Sequence, residues 1–180
     1  AQWLIRVVEN LLSITRMGDT QARIFKEPEP AEEVLGAAAQ KFRRRFPQVN
    51  VTVSAPEELL MVPMDPILIE QVLANLLENA AVHGKAANIS LLLEAEENAA
   101  RITVRDDGGG IPKAELDNLF DGRFKSRRVS DGDGKRNMGL GLSVCRAIVL
   151  AHGGSITAKN LPRGAELSFR LPTAVQEVPV

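Results

Sequence analysis

The chain has 180 residues, 44% of them hydrophobic, with 22 basic and 23 acidic side chains and a net charge of −1. That length builds one domain of ordinary size with a real core. The balanced charge, with six Phe, one Trp and no Tyr, argues against bulk nucleic-acid or anionic-membrane binding and against a base-stacking platform. One cysteine and two histidines form no internal disulfide and make a poor structural zinc set. No apolar run approaches the ~18 residues of a membrane helix, and no signal-peptide pattern opens the chain.

Residues 1–17 read as an amphipathic helix, because Leu4, Val7, Leu11 and Ile14 form an a/d seam. The spacing fits equally a helix lying on its own domain and the stub of a dimerising helical hairpin. The chain starts inside this pattern, as a fragment of something longer would. Residues 19–30 read as a linker and edge segment, with Ala22–Phe25 as a short strand before Lys26-Glu27-Pro28-Glu29-Pro30. A helix follows over 31–46, burying Val34, Leu35, Ala38 and Phe42. Arg43-Arg44-Arg45 near its end reads as a solvated helix terminus, favoured by the dipole, rather than a partner patch.

Strands are predicted at Val49–Ala55 and Leu60–Met64. Asp65-Pro66, a capping residue and an N1 proline, starts a helix that runs to His83 and stops at Gly84. Asn88–Glu96 and Arg101–Arg105 form a hairpin around Glu97-Asn98. Pro112–Leu119 reads as a short helix, and Gly141–His152 as a longer one with Val144, Cys145, Ile148 and Val149 on its buried side. Strands at Ser155–Lys159 and Ala165–Leu171 close the domain, and residues 173–180 form a tail. The fold class is an α/β two-layer sandwich: one mixed, mostly antiparallel sheet with helices packed on one face.

Four stretches carry chemistry. Gln71, Asn75, Glu78 and Asn79 form one polar stripe on an apolar helix, and Asn oxygens suit a Mg2+ ion already shared with phosphates. Asp106-Asp107-Gly108-Gly109-Gly110 places carboxylates at a strand end, where one can accept from an amino group such as the exocyclic amine of adenine. Arg123, Lys125, Arg127, Arg128, Lys135 and Arg136 outweigh Asp131 and Asp133 in a loop over 121–138 that reads as a basic lid for polyphosphate. Gly139-Leu140-Gly141-Leu142 opens a helix whose first N–H groups can face an anion.

In this order the four stretches resemble the ATP-binding domain of sensor histidine kinases, in the superfamily shared with gyrase, the heat-shock chaperones and the MutL mismatch-repair proteins. Gln71–Ala80 looks like the asparagine box and Asp106–Pro112 like the first glycine box. Leu119–Phe124 is similar to the phenylalanine box, and Gly139–Leu142 with Ala151–Gly154 to the second glycine box. Glu9-Asn10-Leu11-Leu12 with Thr15-Arg16 is similar to the end of the dimerisation domain in Kdp-type potassium sensor kinases.

The resemblance implies ATP and Mg2+ as cofactors. Asp106 would accept from adenine, Gly108 and Gly110 would give the base its space, and Asn75 and Asn79 would hold the metal. Gly139, Leu140, Gly141 and Leu142 would present the phosphate-facing helix start, with Lys135 and Arg136 in the lid and Phe120 and Phe124 anchoring it. Hydrolysing relatives place a glutamate general base where this chain has Asn75, and an amide takes no proton at neutral pH. Transfer of the γ-phosphoryl to a histidine therefore fits better than hydrolysis, with Glu78 a candidate to polarise that histidine.

Three positions depart from the family pattern: Val82 in place of lysine, Asn137 in place of glycine, and Gly109 where proline is common. The alternatives are an ATPase of the same fold and a degenerate nucleotide-sensing or partner-binding module. His83 and His152 end helices and read as packing residues rather than phosphoacceptors. The resemblance thus implies an acceptor on a separate histidine domain of a longer protein, a response regulator downstream, and dimerisation only in the longer protein. It also implies a cytoplasmic portion of a membrane-anchored kinase, with no autophosphorylation by this chain alone.

Overall fold

The computed structural model describes residues 24–121 and 138–174. Strand β1 (Glu27–Pro30) leads directly into helix α1 (Ala31–Arg45), followed by β2 (Asn50–Ser54) and β3 (Met61–Met64). Helix α2 (Pro66–Val82), strands β4 (Asn88–Ala95) and β5 (Ala99–Asp106) and the short α3 (Lys113–Leu116) come next. Helix α4 (Met138–Ala151) and the hairpin β6 (Ser155–Asn160) and β7 (Ala165–Pro172) complete the order.

The main sheet runs β2-β4-β5-β7-β6; β2 pairs parallel with β4 and every other pair is antiparallel. The expected mixed sandwich is therefore observed, with the helices on one face. Alternation along the central strands explains this layering. Ile89, Leu91 and Leu93, Ala100, Ile102 and Val104, and Leu167, Phe169 and Leu171 are buried, and they form one core with the helices. From the helices come Leu35, Ala38, Leu73, Leu76, Leu77, Cys145, Ile148 and Val149. The other face of the sheet is polar, with Thr103 hydrogen-bonded to Ser168 at 3.1 Å and Glu166 paired with Arg105 and Lys159.

A second sheet, the β1–β3 ribbon, shares no strand with the main one, though Val62 and Met64 join the same core. The expected strand at Ala22–Phe25 is not the observed one. Ile24 and Phe25 have no regular structure, and the strand is the proline-bearing Glu27–Pro30 itself. Its register sets Pro28 against Pro63 and Pro30 against Met61. Hydrogen-bonded and non-bonded pairs alternate in an antiparallel ladder. The prolines take the non-bonded places, leaving Glu27, Glu29, Val62 and Met64 to donate.

The arginine run is exposed in the last turn, as expected of a solvated helix end, and two of its members also make contacts. Arg43 donates to the carbonyl of Val51 at 2.7 Å, and Arg45 stands over the Phe46 ring, 5.3 Å from its centroid. Helix α4 begins at Met138 rather than at the expected Gly141, so Gly139 lies within its first turn and not before it. All of the lid between its end residues Asp121 and Met138, the helix expected over residues 1–17 and most of the 173–180 tail lie outside the described residues. Thr173 is described, and its N–H donates to the Asn98 carbonyl at 3.1 Å. Among the described residues no helix is long and apolar enough to cross a membrane.

Candidate nucleotide site

Helix α2 forms for reasons visible in its first residues. Asp65 accepts from the N–H groups of Ile67 and Leu68 at 3.0 and 3.2 Å, and Pro66 needs no donor there. The N–H of Asp65 is itself bound by His152 Nε2 at 3.1 Å, while His152 Nδ1–H donates to the Ile148 carbonyl at 2.7 Å. His152 is buried at the end of α4, and burial holds its pKa below the usual 6.5. Its neutral ring thus ties the start of α2 to the finish of α4, as a packing residue does.

The finish of α2 meets the end of β5. Asp106 is 7% exposed and accepts from the Gly108 N–H at 2.9 Å and from the backbone of Ala165. Burial raises its pKa above the ordinary carboxylate value, despite those donors. Asp107, one residue on, does the opposite work. It accepts from the N–H groups of Ala87 and Asn88 and from the Asn88 side chain, and the Asn88 donors hold its pKa down.

Gly108 and Gly164 let the surrounding backbones come together. A Cβ at Gly108 would lie 2.0 Å from the Gly84 carbonyl oxygen, and one at Gly164 would lie 1.8 Å from that of Asp106. Gly109 N–H donates to the Gly84 carbonyl at 2.9 Å.

These segments enclose a cavity of about 330 Å3. Asn79, Ala80, His83 and Gly84 line it from α2, and Asp106, Gly110, Ile111 and Pro112 from the strand end and its loop. Glu115, Leu119, Leu142, Ala165 and Leu167 complete the wall. Of the residues expected from the sequence, Asn79, Asp106, Gly110 and Leu142 are brought together here. Gly108 does not line the cavity; its lack of a side chain serves the contact with Gly84.

Asn75 does not line it either. Its Oδ1 accepts from Gln71 Nε2 at 3.2 Å and its Nδ2 donates to the Gly141 carbonyl at 3.3 Å, joining α2 to the start of α4. Glu78 lies outside the lining as well, held by both terminal nitrogens of Arg45 at 3.1 and 3.3 Å. Phe120 is half-buried against the core. Gly139 and Leu140 contribute backbone to the first turn of α4, and Lys135, Arg136 and Phe124 lie outside the described residues.

Sequence reasoning missed His83, Glu115, Ile111, Leu119, Ala165 and Leu167 as lining residues. His83 was detectable, since it follows Asn79 by one helical turn and shares its face.

The cavity is mainly apolar with one buried carboxylate, a surface suited to a flat heterocycle bearing an amino donor. The first N–H groups of α4, which have no acceptor within the helix itself, are donors of the kind that can meet an anion. No group of three or more His, Cys, Asp or Glu able to hold a metal occurs among the described residues. A cation here would rely on oxygens carried by its ligand, with the neutral Asn79 oxygen added. That donor set fits Mg2+ on a polyphosphate. Cys145 is buried beneath Asn75, and burial pushes its thiol up to about 12, so it is inert.

Comparison with known proteins agrees with this geometry. The chain is 39% identical over 173 residues to the sensor protein KdpD of Clostridium acetobutylicum, and 37% identical over 175 residues to KdpD of Escherichia coli. Those alignments cover 95% and 97% of this chain and 19% of each relative, so the chain spans about a fifth of their length.

Among solved structures, the catalytic domain of the histidine kinase ThkA superposes with a TM-score of 0.71 at 25% identity, covering 82% of this chain and 95% of that one. The ATP-binding domain of PrrB from Mycobacterium tuberculosis gives 0.69 at 26% identity, covering 84% and 99%. Residues 64–175, from the last residue of β3 to just beyond β7, match the family described as histidine kinase-, DNA gyrase B- and HSP90-like ATPase. The chain belongs to that family.

Proposed function

We propose that this chain is the catalytic, ATP-binding part of a two-component sensor histidine kinase, which passes the γ-phosphoryl of Mg-ATP to a histidine on a separate helical domain. The observation that carries the reading is Asp106: a buried carboxylate in the wall of a mainly apolar cavity, where an adenine amine would add a donor to those of Gly108 and Ala165. Asn79, on the same wall, would offer its oxygen to Mg2+, and the first N–H groups of α4 would face the phosphates. Bound Mg-ATP supplies the phosphoryl group and the cation that neutralises its charge; the protein positions it and excludes water.

Asn75 supports transfer over hydrolysis. Its amide is occupied by Gln71 and Gly141 and has no basicity with which to activate water. Glu78, adjacent to Asn79 and fixed by Arg45, is the candidate to orient the accepting imidazole. The wider reading follows the KdpD relatives: potassium sensing, attachment to a membrane, a dimer in the longer protein, and a response regulator as the next phosphoryl acceptor.

The test mixes this chain with a separately made histidine-hairpin fragment and γ-labelled Mg-ATP. Label on the hairpin is the expected result. Bound nucleotide with no transfer would reject the kinase reading, and a steady phosphate release would favour an ATPase. Calorimetry showing no Mg-ATP binding at millimolar concentration would reject the nucleotide site itself.

A further inference from the structure

We infer that Asn160, at the end of β6, is a positioning residue for the base-binding wall of the nucleotide site; the assignment rests on the ATP-binding reading. The wall segment Gly110-Ile111-Pro112 belongs to neither sheet, yet all three residues line the cavity. What holds it is the Asn160 carboxamide. Its Oδ1 accepts from the Ile111 N–H at 2.8 Å, and its Nδ2 donates to the Ile111 carbonyl at 2.7 Å. The amide thus behaves as one residue of an antiparallel pair, giving and receiving with a single partner. Gly110 makes the approach feasible: it turns at φ +76°, and a Cβ there would lie 3.0 Å from Asn160 Oδ1.

The same hairpin makes a second contact one residue beyond the cavity. Arg163 Nε donates to the Asp107 carbonyl at 3.2 Å, outside the lining. The two contacts separate the hypotheses. If the hairpin merely stiffens the loop, loss of either should act alike; if Asn160 sets the wall, only its loss should reach the ligand. Asn160 is exposed, so truncating it leaves the core intact.

The experiment is calorimetric titration of the wild-type chain and of Asn160→Ala, Asn160→Asp and Arg163→Ala with Mg-ADP and Mg-ATP, well below each melting temperature. Asn160→Ala should weaken both nucleotides by the same factor, about 10-fold for one to two net hydrogen bonds, because the wall meets the base and not the terminal phosphate. In the assay with the histidine hairpin, the KM for ATP should rise by that factor and kcat at saturation should not move.

Asn160→Asp keeps the shape and one acceptor but sets a carboxylate oxygen against the Ile111 carbonyl, so it should bind no more tightly than Asn160→Ala. Arg163→Ala should bind like wild type. Equal losses in Asn160→Ala and Arg163→Ala, wild-type affinity in Asn160→Asp, or unchanged binding in Asn160→Ala would overturn the assignment while leaving the ATP site standing. A wild-type chain that binds neither nucleotide would overturn both.

Discussion

The two ends of helix α2 are built on opposite principles. At its start every polar group named is answered within the protein. Asp65 caps Ile67 and Leu68, its N–H goes to His152, and His152 passes its own N–H to Ile148. At its finish, Asn79 and His83 face a cavity, Gly84 accepts a backbone contact too close for any side chain opposite, and Lys85 takes a positive φ of 51°. The closed end contributes stability. The open end gives some up, and the space it leaves beside Asn79 and His83 is what a ligand can use. Asp106 and Asp107 repeat the contrast over one peptide bond. The first is buried with a raised pKa and the second is fully engaged with a lowered one.

The largest effect should come from crowding the open end. Gly108→Ala places a methyl against the Gly84 carbonyl, and neither backbone can yield without moving β5 or α2. A loss of about 3 kcal/mol in urea unfolding is expected, together with loss of nucleotide binding. A stability within error of wild type would show that the close approach is not obligatory.

Next is Asp106→Asn. The amide nitrogen cannot accept from the adenine amine, so Mg-ATP affinity should fall about 100-fold, or some 2.7 kcal/mol. The melting temperature of the ligand-free chain should stay level or rise, because a buried ionised carboxylate costs stability that a neutral amide does not. A variant both weaker in binding and markedly less stable would mean that Asp106 belongs to the closed class of groups.

At the closed end, His152 has a folded pKa below 6.5, so the unfolded chain binds more protons in the window beneath that value. Its contribution is therefore complete above pH 6.5 and is lost as pH falls through the folded pKa. His152→Phe should remove this slope from stability-versus-pH curves and cost about 1–3 kcal/mol at neutral pH, the consequence of orphaning the Asp65 N–H, since the Ile148 carbonyl keeps the backbone N–H of residue 152.

The smallest effect is at Lys85, where glycine relieves the positive φ. A gain of about 0.5 kcal/mol in Lys85→Gly is expected by thermal unfolding.

What the sequence revealed and what it concealed divide along physical lines. Periodicity located α1, α2 and the central strands to within a few residues, because burial of one face dictates it. Asp106 and Asn79 were legible because a carboxylate at a strand end and an amide on an apolar helix are anomalies of local pattern. In the sequence Gly84 is a helix stop and Gly164 an ordinary turn glycine. Their closer duty depends on which distant backbone lies against them, as Gly108 against Gly84 and Asp106 against Gly164 show. Asn160 and the pairing of Arg45 with Glu78 are equally matters of long-range placement. The strand at Glu27–Pro30 was hidden by its prolines, which argue against a sheet unless the register is known.

That register has a consequence for association between chains. In the β1–β3 ribbon, the residues whose N–H groups would project outward from β1 are Pro28 and Pro30, and neither has one. An incoming strand would find carbonyls along that edge and no donors to complete its ladder. A slip of one residue within the ribbon would turn the same prolines inward and break its own hydrogen bonds. The Glu-Pro-Glu-Pro sequence thus acts as a blunt edge and a register lock at once, guarding the short sheet that precedes α1 against β-augmentation by a second molecule.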